Sequence, residues 1–334
     1  MKLAIKTSGI LTLLLVDAIC LSASALTLEE ISPHFSTNAE IVWKASTNSL
    51  PKSLSVYKCL PQTFSTATMS NALALTPIKS TTLLVPSTNR ICIWDHTREG
   101  DDPMAGYFAI SPEFANIGYR LKYHYLGSPA DIPSDESIAK RAWEIADQLG
   151  LDRRQLAQKE ITTNLCEYDL KGRLTTNNPC GHGISLARRV DRVDFYSSDE
   201  GFSIEFGSGG QIRSFSLSLP NLKQFETHPI ASPEQIIRCI RAYQTPMALP
   251  SNDDGSYLTR VKELAKAKKL SITKVTPFYG EGRYGQEPKE QGLAEFVSPF
   301  AELEVIADFG STNISVHLLS PILSTDADRL SKSK

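Results

Sequence analysis

Apolar residues spaced three and four apart mark a helix most clearly in SDESIAKRAWEIADQLGLD, where Ile138, Ala142, Ile145 and Leu149 share one face. Ser134 stands before the run as an N-cap and Gly150 after it as a stop, so a helix is predicted between them. ASPEQIIRCIRAYQ predicts a second, with Ser232 as N-cap and Pro233 at the first helical position, where its missing N–H would have no intrahelical partner anyway. SYLTRVKELAKAKKL continues that spacing through Leu258, Val261, Leu264 and Ala265, and TFSTATMSNALAL predicts a short helix behind a Ser65 cap.

Period-two alternation or short apolar runs predict the strands. SLSVYKCL, TTLLVP, GYFAISP and IGYRLKYHYLG lie in the first third of the chain. EITTNLCEYDL, ISLARRVDRVDFYS, GFSIEFG and QIRSFSLSLP follow the first long helix, and SITKVTPFY, LAEFVSP, AELEVIADFG and NISVHLLSP follow the second. Val193, Phe195, Ile204, Phe206, Phe215, Leu217 and Leu219 are the expected core positions of the first set; Leu303, Val305, Ile314, Val316 and Leu318 are those of the second. Helix then strands occurs twice, and the turns between strands are short and polar. The expected fold class is therefore α+β, with antiparallel sheets each covered by helices on one face and an internal duplication. The expected units are 26–130, a first helix-sheet unit at 131–228, a second at 229–325, and a frayed polar tail at 326–334.

Residues 1–25 read as a secretory signal: Lys2 and Lys6, an apolar run from Gly9 to Val16, then Ala23-Ser24-Ala25 as the cleavage site. Nothing in the sequence approaches the ~20 apolar residues of a membrane span. The expectation is a protein exported to the extracellular side. The formal net charge of −2 becomes −3 once Lys2, Lys6 and Asp17 are removed, which argues against nucleic acid as a partner. At 41% apolar and 22% charged residues the chain is too apolar to remain disordered.

Export permits disulfides. Cys59 and Cys92 lie in strand-like segments and are a candidate pair, and Cys166 and Cys180 flank EYDLKGRLTTNNP as a second. Cys239 shares helical spacing with Ile236 and Tyr243 and is expected as a buried free thiol.

The motif-like stretches read as ordinary structure. GSGG, Gly207 to Gly210, follows a strand as a phosphate loop would, but QIRSFSLSLP after it alternates like a strand and supplies no helix N-terminus, so a hairpin turn is expected. GEGRYG, Gly280 to Gly285, matches a dinucleotide fingerprint by letters, yet QEPKEQG after it has no helical periodicity. That loop still carries Tyr279, Glu281, Arg283 and Tyr284, the residue types favoured where surfaces recognise partners, and these are the candidate binding residues. SIAK, Ser137 to Lys140, lacks the partner motifs of a serine-lysine acylating pair and reads as helix surface. CGHG and DHTREGDD lack the spacing of zinc and calcium sites, so neither a metal nor a cofactor is expected.

SVYKCLPQTFSTATMSNALAL, SDESIAKRAWEIADQLGLDRRQLAQK and GFSIEFGSGGQIRSFSLSLPNL resemble segments of a set of uncharacterised exported proteins. The helix-then-sheet units more loosely resemble PepSY-type modules, a resemblance that implies binding or inhibition of peptidases outside the cytoplasm. The expected function is a secreted binding protein with an extracellular protein or peptide as partner. The alternative is an extracellular hydrolase using carboxylates from separate strands, for which Glu205, Glu167, Asp169 and Glu302 are candidates.

Overall fold

The computed structural model of the chain describes residues 35, 38–60, 64–78, 82–84, 91–94, 106–111, 115–121, 131–168, 174–196, 200–242, 245–247, 262–281 and 295–332, excepting the side chains of 82–84, 91–94, 106–107, 160, 165–168 and 174–180. In chain order the strands begin with β1 (Glu40–Trp43), β2 (Ser53–Leu60), β3 (Thr82–Leu84), β4 (Ile91–Trp94), β5 (Gly106–Ser111) and β6 (Asn116–Leu121). They continue with β7 (Leu156–Tyr168), β8 (Leu174–Val190), β9 (Val193–Asp194), β10 (Gly201–Phe206), β11 (Ile212–Ser218) and β12 (Asn221–Pro229), and end with β13 (Lys269–Glu281), β14 (Phe296–Asp308) and β15 (Asn313–Pro321). The helices are α1 (Thr66–Ala74), α2 (Asp135–Gln148), α3 (Pro233–Arg241) and α4 (Ser324–Ser331).

The strands form two large sheets. Sheet one has the order β1-β13-β14-β2-β12, with β15 also paired to β14. Sheet two has the order β3-β4-β5-β6-β11-β10-β8-β7, with β9 paired to β8. The architecture is mostly β, which overturns the expected α+β class. The few described helices pack locally: α2 sets Ile138, Ala142, Ile145 and Ala146 into the core of sheet two, and α3 with α4 packs on the core of sheet one, but among the described residues neither sheet is covered by helices. Nor is sheet one wholly antiparallel, because β1 pairs with β13 in parallel.

Sheet membership also cuts across the expected units. β1 and β2, from 26–130, and β12, almost wholly from 131–228, join β13, β14 and β15, whereas β3 to β6 join β7, β8, β10 and β11. The helix-then-strands order recurs along the chain without building a repeated unit. Each sheet carries its own core: Leu303, Val305, Val316 and Leu318 in sheet one, and Ile204, Phe206, Phe215 and Leu217 in sheet two. Val193 and Phe195 belong to the first of these cores, and Ile314 is 37% exposed.

Local chemistry explains the elements that match expectation. Ser134 accepts from the Ser137 N–H and caps α2, and Gly150 after it sits at φ 76. Ser232 and Gln235 form a reciprocal capping box around Pro233 at the start of α3. GSGG closes the β10–β11 hairpin, with Gly209 at φ 63 and Gly210 at φ 72.

Several segments differ. ISLARRVDRVDFYS is broken by a two-residue turn at Asp191 (φ 51) and Arg192 (φ 66), around which Val190 pairs with Val193. The polar stretch after Cys166 is mostly strand, since Tyr168 already pairs with Leu174. LAEFVSP and AELEVIADFG merge into β14, which carries Pro299 within it. The tail is helical through Ser331, with Ala327 and Leu330 buried. Residues 256–261 of SYLTRVKELAKAKKL and all of DHTREGDD lie outside the described residues; Lys262, Glu263 and Leu264 are helical, and Lys269 and Leu270 already open β13.

Cys239 is free and fully buried. Cys59 is also free. The side chains of Cys92, Cys166 and Cys180 lie outside the described residues. Unreduced protein unfolded in guanidinium should therefore show at least two reactive thiols; a count of one would restore the Cys59 bridge. The turn gives a second expectation, since a non-glycine residue in the left-handed region costs about 1–2 kcal/mol. Arg192→Gly should raise the unfolding free energy measured in urea by roughly 0.5–1 kcal/mol after the greater chain freedom of glycine is counted; a lowered value would show that the arginine side chain holds the turn.

Candidate functional site

The two sheets meet at the Asp191–Arg192 turn. A two-residue hairpin with both residues at positive φ follows the twist of its strands, and it turns the chain from β8 into β9. The chain then crosses to the other sheet: the Phe195 N–H still donates to the Arg188 carbonyl at 2.9 Å, while the Tyr196 N–H donates to the Tyr279 carbonyl of β13 at 2.9 Å. Asp194 fixes the crossing. Partial burial works against its charge, but Lys159 at 2.8 Å and Arg189 at 2.8 Å hold its carboxyl below the ordinary value.

Asp191 closes the joint from sheet two onto two tyrosines of sheet one. The Tyr57 hydroxyl donates to Asp191 Oδ2 at 2.7 Å. The Tyr279 hydroxyl lies 3.1 Å from the same oxygen and 3.0 Å from the Ser55 carbonyl, sharing one proton between two acceptors. Burial, with Asp191 beside them, pushes both phenols well above their ordinary range. The Tyr279 ring stacks on Phe195 and meets Tyr57 edge-on, with centroids 6.3 and 5.9 Å away.

Next to this cluster lies a buried ion pair. Arg188 of β8 is 5% exposed and Glu200 is 4% exposed, and Nη1 stands 3.4 Å from Oε2. The guanidinium also lies over the Phe195 ring, 5.8 Å from its centroid. Burial pushes Glu200 up to about 8; Arg188 opposes this, and the like charge and hydrogen bonding of Glu281 add to it. As a neutral carboxyl, Glu200 can donate to Glu281. Burial, with Glu200 beyond it and Arg188 opposing, pushes the Cys59 thiol up to about 12 and leaves it unreactive as a nucleophile.

A cleft of about 480 Å³ opens beside the joint, between the C-terminal end of α2, β8 and the β11–β12 connection. Leu151, Leu156 and Leu219 come to it from the core of sheet two, and Val190 and Leu222 from that of sheet one. Asp152, Gln155, Arg188, Arg189, Asp191 and Asn221 are its polar lining.

The sequence-derived candidates are distributed differently. Tyr279 is fully buried within β13 and belongs to the joint rather than to a loop. Glu281 ends β13, exposed and within reach of Glu200. Arg283 and Tyr284 lie outside the described residues. Among the carboxylates, Glu205 in sheet two faces Arg213 at 3.5 Å and accepts from Ser214, while Glu302 in sheet one contacts His317 at 2.6 Å. The structure therefore does not bring Glu205 and Glu302 together, and Asp169 and the Glu167 side chain lie outside the described residues. His182 of CGHG sits 3.2 Å from Asp135.

Sequence reasoning missed Tyr57, Arg188, Asp191 and Glu200. The available signal was the charged run RRVDR inside an otherwise apolar alternation, where Val190 and Val193 bracket two polar residues as hairpin strands do.

No family model matches the chain, and no curated protein matches it. A crystal structure of an uncharacterized protein from Eubacterium rectale ATCC 33656 is similar over 84% of this chain and 86% of that one, at 10% identity and a TM-score of 0.45.

The buried acid makes stability depend on pH. With its value raised from 4.5 to about 8, Glu200 binds its proton more tightly in the folded chain. Its contribution is complete below 4.5 and is lost as pH rises to about 8. Denaturation series across that window should show stability falling with pH, and Glu200→Gln should flatten the fall; an unchanged slope would assign it to other groups.

Proposed function

We propose that the chain is an exported binding protein, cleaved after Ala25, that holds its ligand at the joint between its two sheets and performs no chemistry of its own. The observation that supports this is the cleft, which lies where two hydrophobic cores meet, as binding sites commonly do, and whose volume falls in the usual range of about 300–1,000 Å³. Around it the charged groups are engaged in holding the fold: Asp191 by two tyrosine hydroxyls, Asp194 by Lys159 and Arg189. In the finer form of this reading, which the PepSY resemblance suggests, the bound species is a peptidase or a peptide.

A second reading is an extracellular hydrolase with a carboxylate site assembled from separate strands. It draws on Glu200 and Glu281, a carboxyl pair in which one member is pushed up to about 8. Glu200 is 4% exposed, however, and neither carboxyl lines the cleft, which favours binding.

The test is capture from the secreted fraction of the source organism with residues 26–334 as bait, bound species being identified by mass spectrometry. The binding reading expects a stoichiometric species that is lost when Leu219→Trp fills the cleft. A species retained equally by that variant would move the site elsewhere, and turnover of peptide or glycoside substrates abolished by Glu200→Gln would establish the hydrolase instead.

A further inference from the structure

The outer edge of sheet one sets two like charges side by side. Lys223 of β12 pairs directly with Lys58 of β2, so both side chains leave the same face of the sheet, and both are exposed. Directly opposed residues have Cβ atoms about 4.5–5.5 Å apart, and like charges at that separation destabilise a sheet. Among the described residues no carboxylate forms an ion pair with either lysine, and Glu226, further along β12, is taken up by His228 at 3.0 Å. An acid arriving from outside the chain would therefore relieve the repulsion and be met by two ammonium groups at once.

Apolar side chains flank the pair. Phe296 of β14 pairs with Lys58 from its other side and shares its face, and the Phe225 ring stands 5.2 Å from that of Phe296. Phe225 is the extra residue of the bulge between Gln224 and Glu226, which turns it outward to 51% exposure. Leu60, two residues on from Lys58, is 36% exposed. Aromatic side chains on an exposed face are enriched where proteins meet, because each buries a large area on contact.

Other occupants suit this face less well. Pairing β12 with a second copy of the chain is interrupted by the bulge at Phe225 and would add another Lys223 to the same face. An anionic lipid surface gains about 1 kcal/mol per lysine, and here two lysines act against a chain of net charge −2. A peptide chain can place a carboxylate and an apolar side chain next to one another, which is the pattern the face presents in complement.

We propose that this face docks an acidic protein segment, with a partner carboxylate between Lys58 and Lys223 and a partner apolar side chain on Phe225, Phe296 and Leu60. The surface lies outside the cleft and does not depend on the cleft's being occupied.

The experiment is fluorescence anisotropy of residues 26–334 with the labelled hexapeptides EDFEDL and QNFQNL. The acidic peptide should bind saturably and at least tenfold more tightly than its uncharged counterpart. Lys58→Glu combined with Lys223→Glu should weaken it at least tenfold, whereas Lys44→Glu combined with Lys140→Glu, the same change of net charge at exposed lysines elsewhere, should leave it within about twofold. Phe225→Ser, which keeps both lysines, should weaken both peptides. Leu219→Trp should affect neither; loss of EDFEDL in that variant would move the peptide to the cleft and overturn the assignment to this face. Absence of saturable EDFEDL binding, equal binding of QNFQNL, or equal loss in the two double variants would also overturn it. Vesicles of phosphatidylglycerol and phosphatidylcholine form the last arm: binding to them but not to EDFEDL, lost with Lys58→Glu and Lys223→Glu, would give the face to a membrane instead.

Discussion

The carboxylate of Asp191, gripped by the hydroxyls of Tyr57 and Tyr279, is the contact on which the arrangement of this molecule depends. It carries the end of one sheet onto the buried face of the other. Hydrogen bonds to a charged group are each worth about 1.5–3 kcal/mol, a large share of a net stability of about 5–15 kcal/mol. The left-handed backbone at Asp191 and Arg192 is tolerated because this carboxylate is anchored, and the anchored turn delivers Phe195 to its parallel contact with Tyr279.

The Arg188–Glu200 pair reinforces the joint in a different way. Glu200 gives the buried Arg188 guanidinium a hydrogen-bond acceptor, and a buried donor left without one costs about 1–3 kcal/mol, more where it is charged. Here the pair admits one placement of β8 against the segment at Glu200, since the Arg188 N–H also donates to the Glu200 carbonyl at 2.9 Å. Two cores brought together by polar contacts rather than by continuous apolar packing leave space between them, and that space is the cleft lined by Leu156, Val190, Leu219 and Leu222.

The parts of the fold legible in the sequence were those that local chemistry determines. Ser134 and Gly150 bounded α2, Ser232 and Pro233 started α3, and the glycines at 207–210 announced a hairpin. Strands β1 and β12 were missed because little of them is buried, so no alternation marks them; β12 is held by its backbone ladder to β2. The fold class was misjudged because sheet membership is set by pairings between distant segments, such as Glu40–Trp43 with Lys269–Ile272. The same reason hid the site. Asp191, Tyr57 and Tyr279 stand 134 and 88 residues apart from one another across the turn, and nothing local distinguishes a carboxylate that caps two buried phenols from one that is solvated. Tyr279, read from the sequence as a recognition residue of a loop, is a buried residue within β13.

Hydrogen–deuterium exchange on Asp191→Ala beside the unaltered chain measures directly whether this contact joins the sheets. Loss of the carboxylate should lower protection in β2 around Ser55 and Tyr57 and in β13 around Tyr279, as well as in the β8–β9 turn. A change confined to the turn at 190–193 would mean that the two sheets are held together by something other than Asp191.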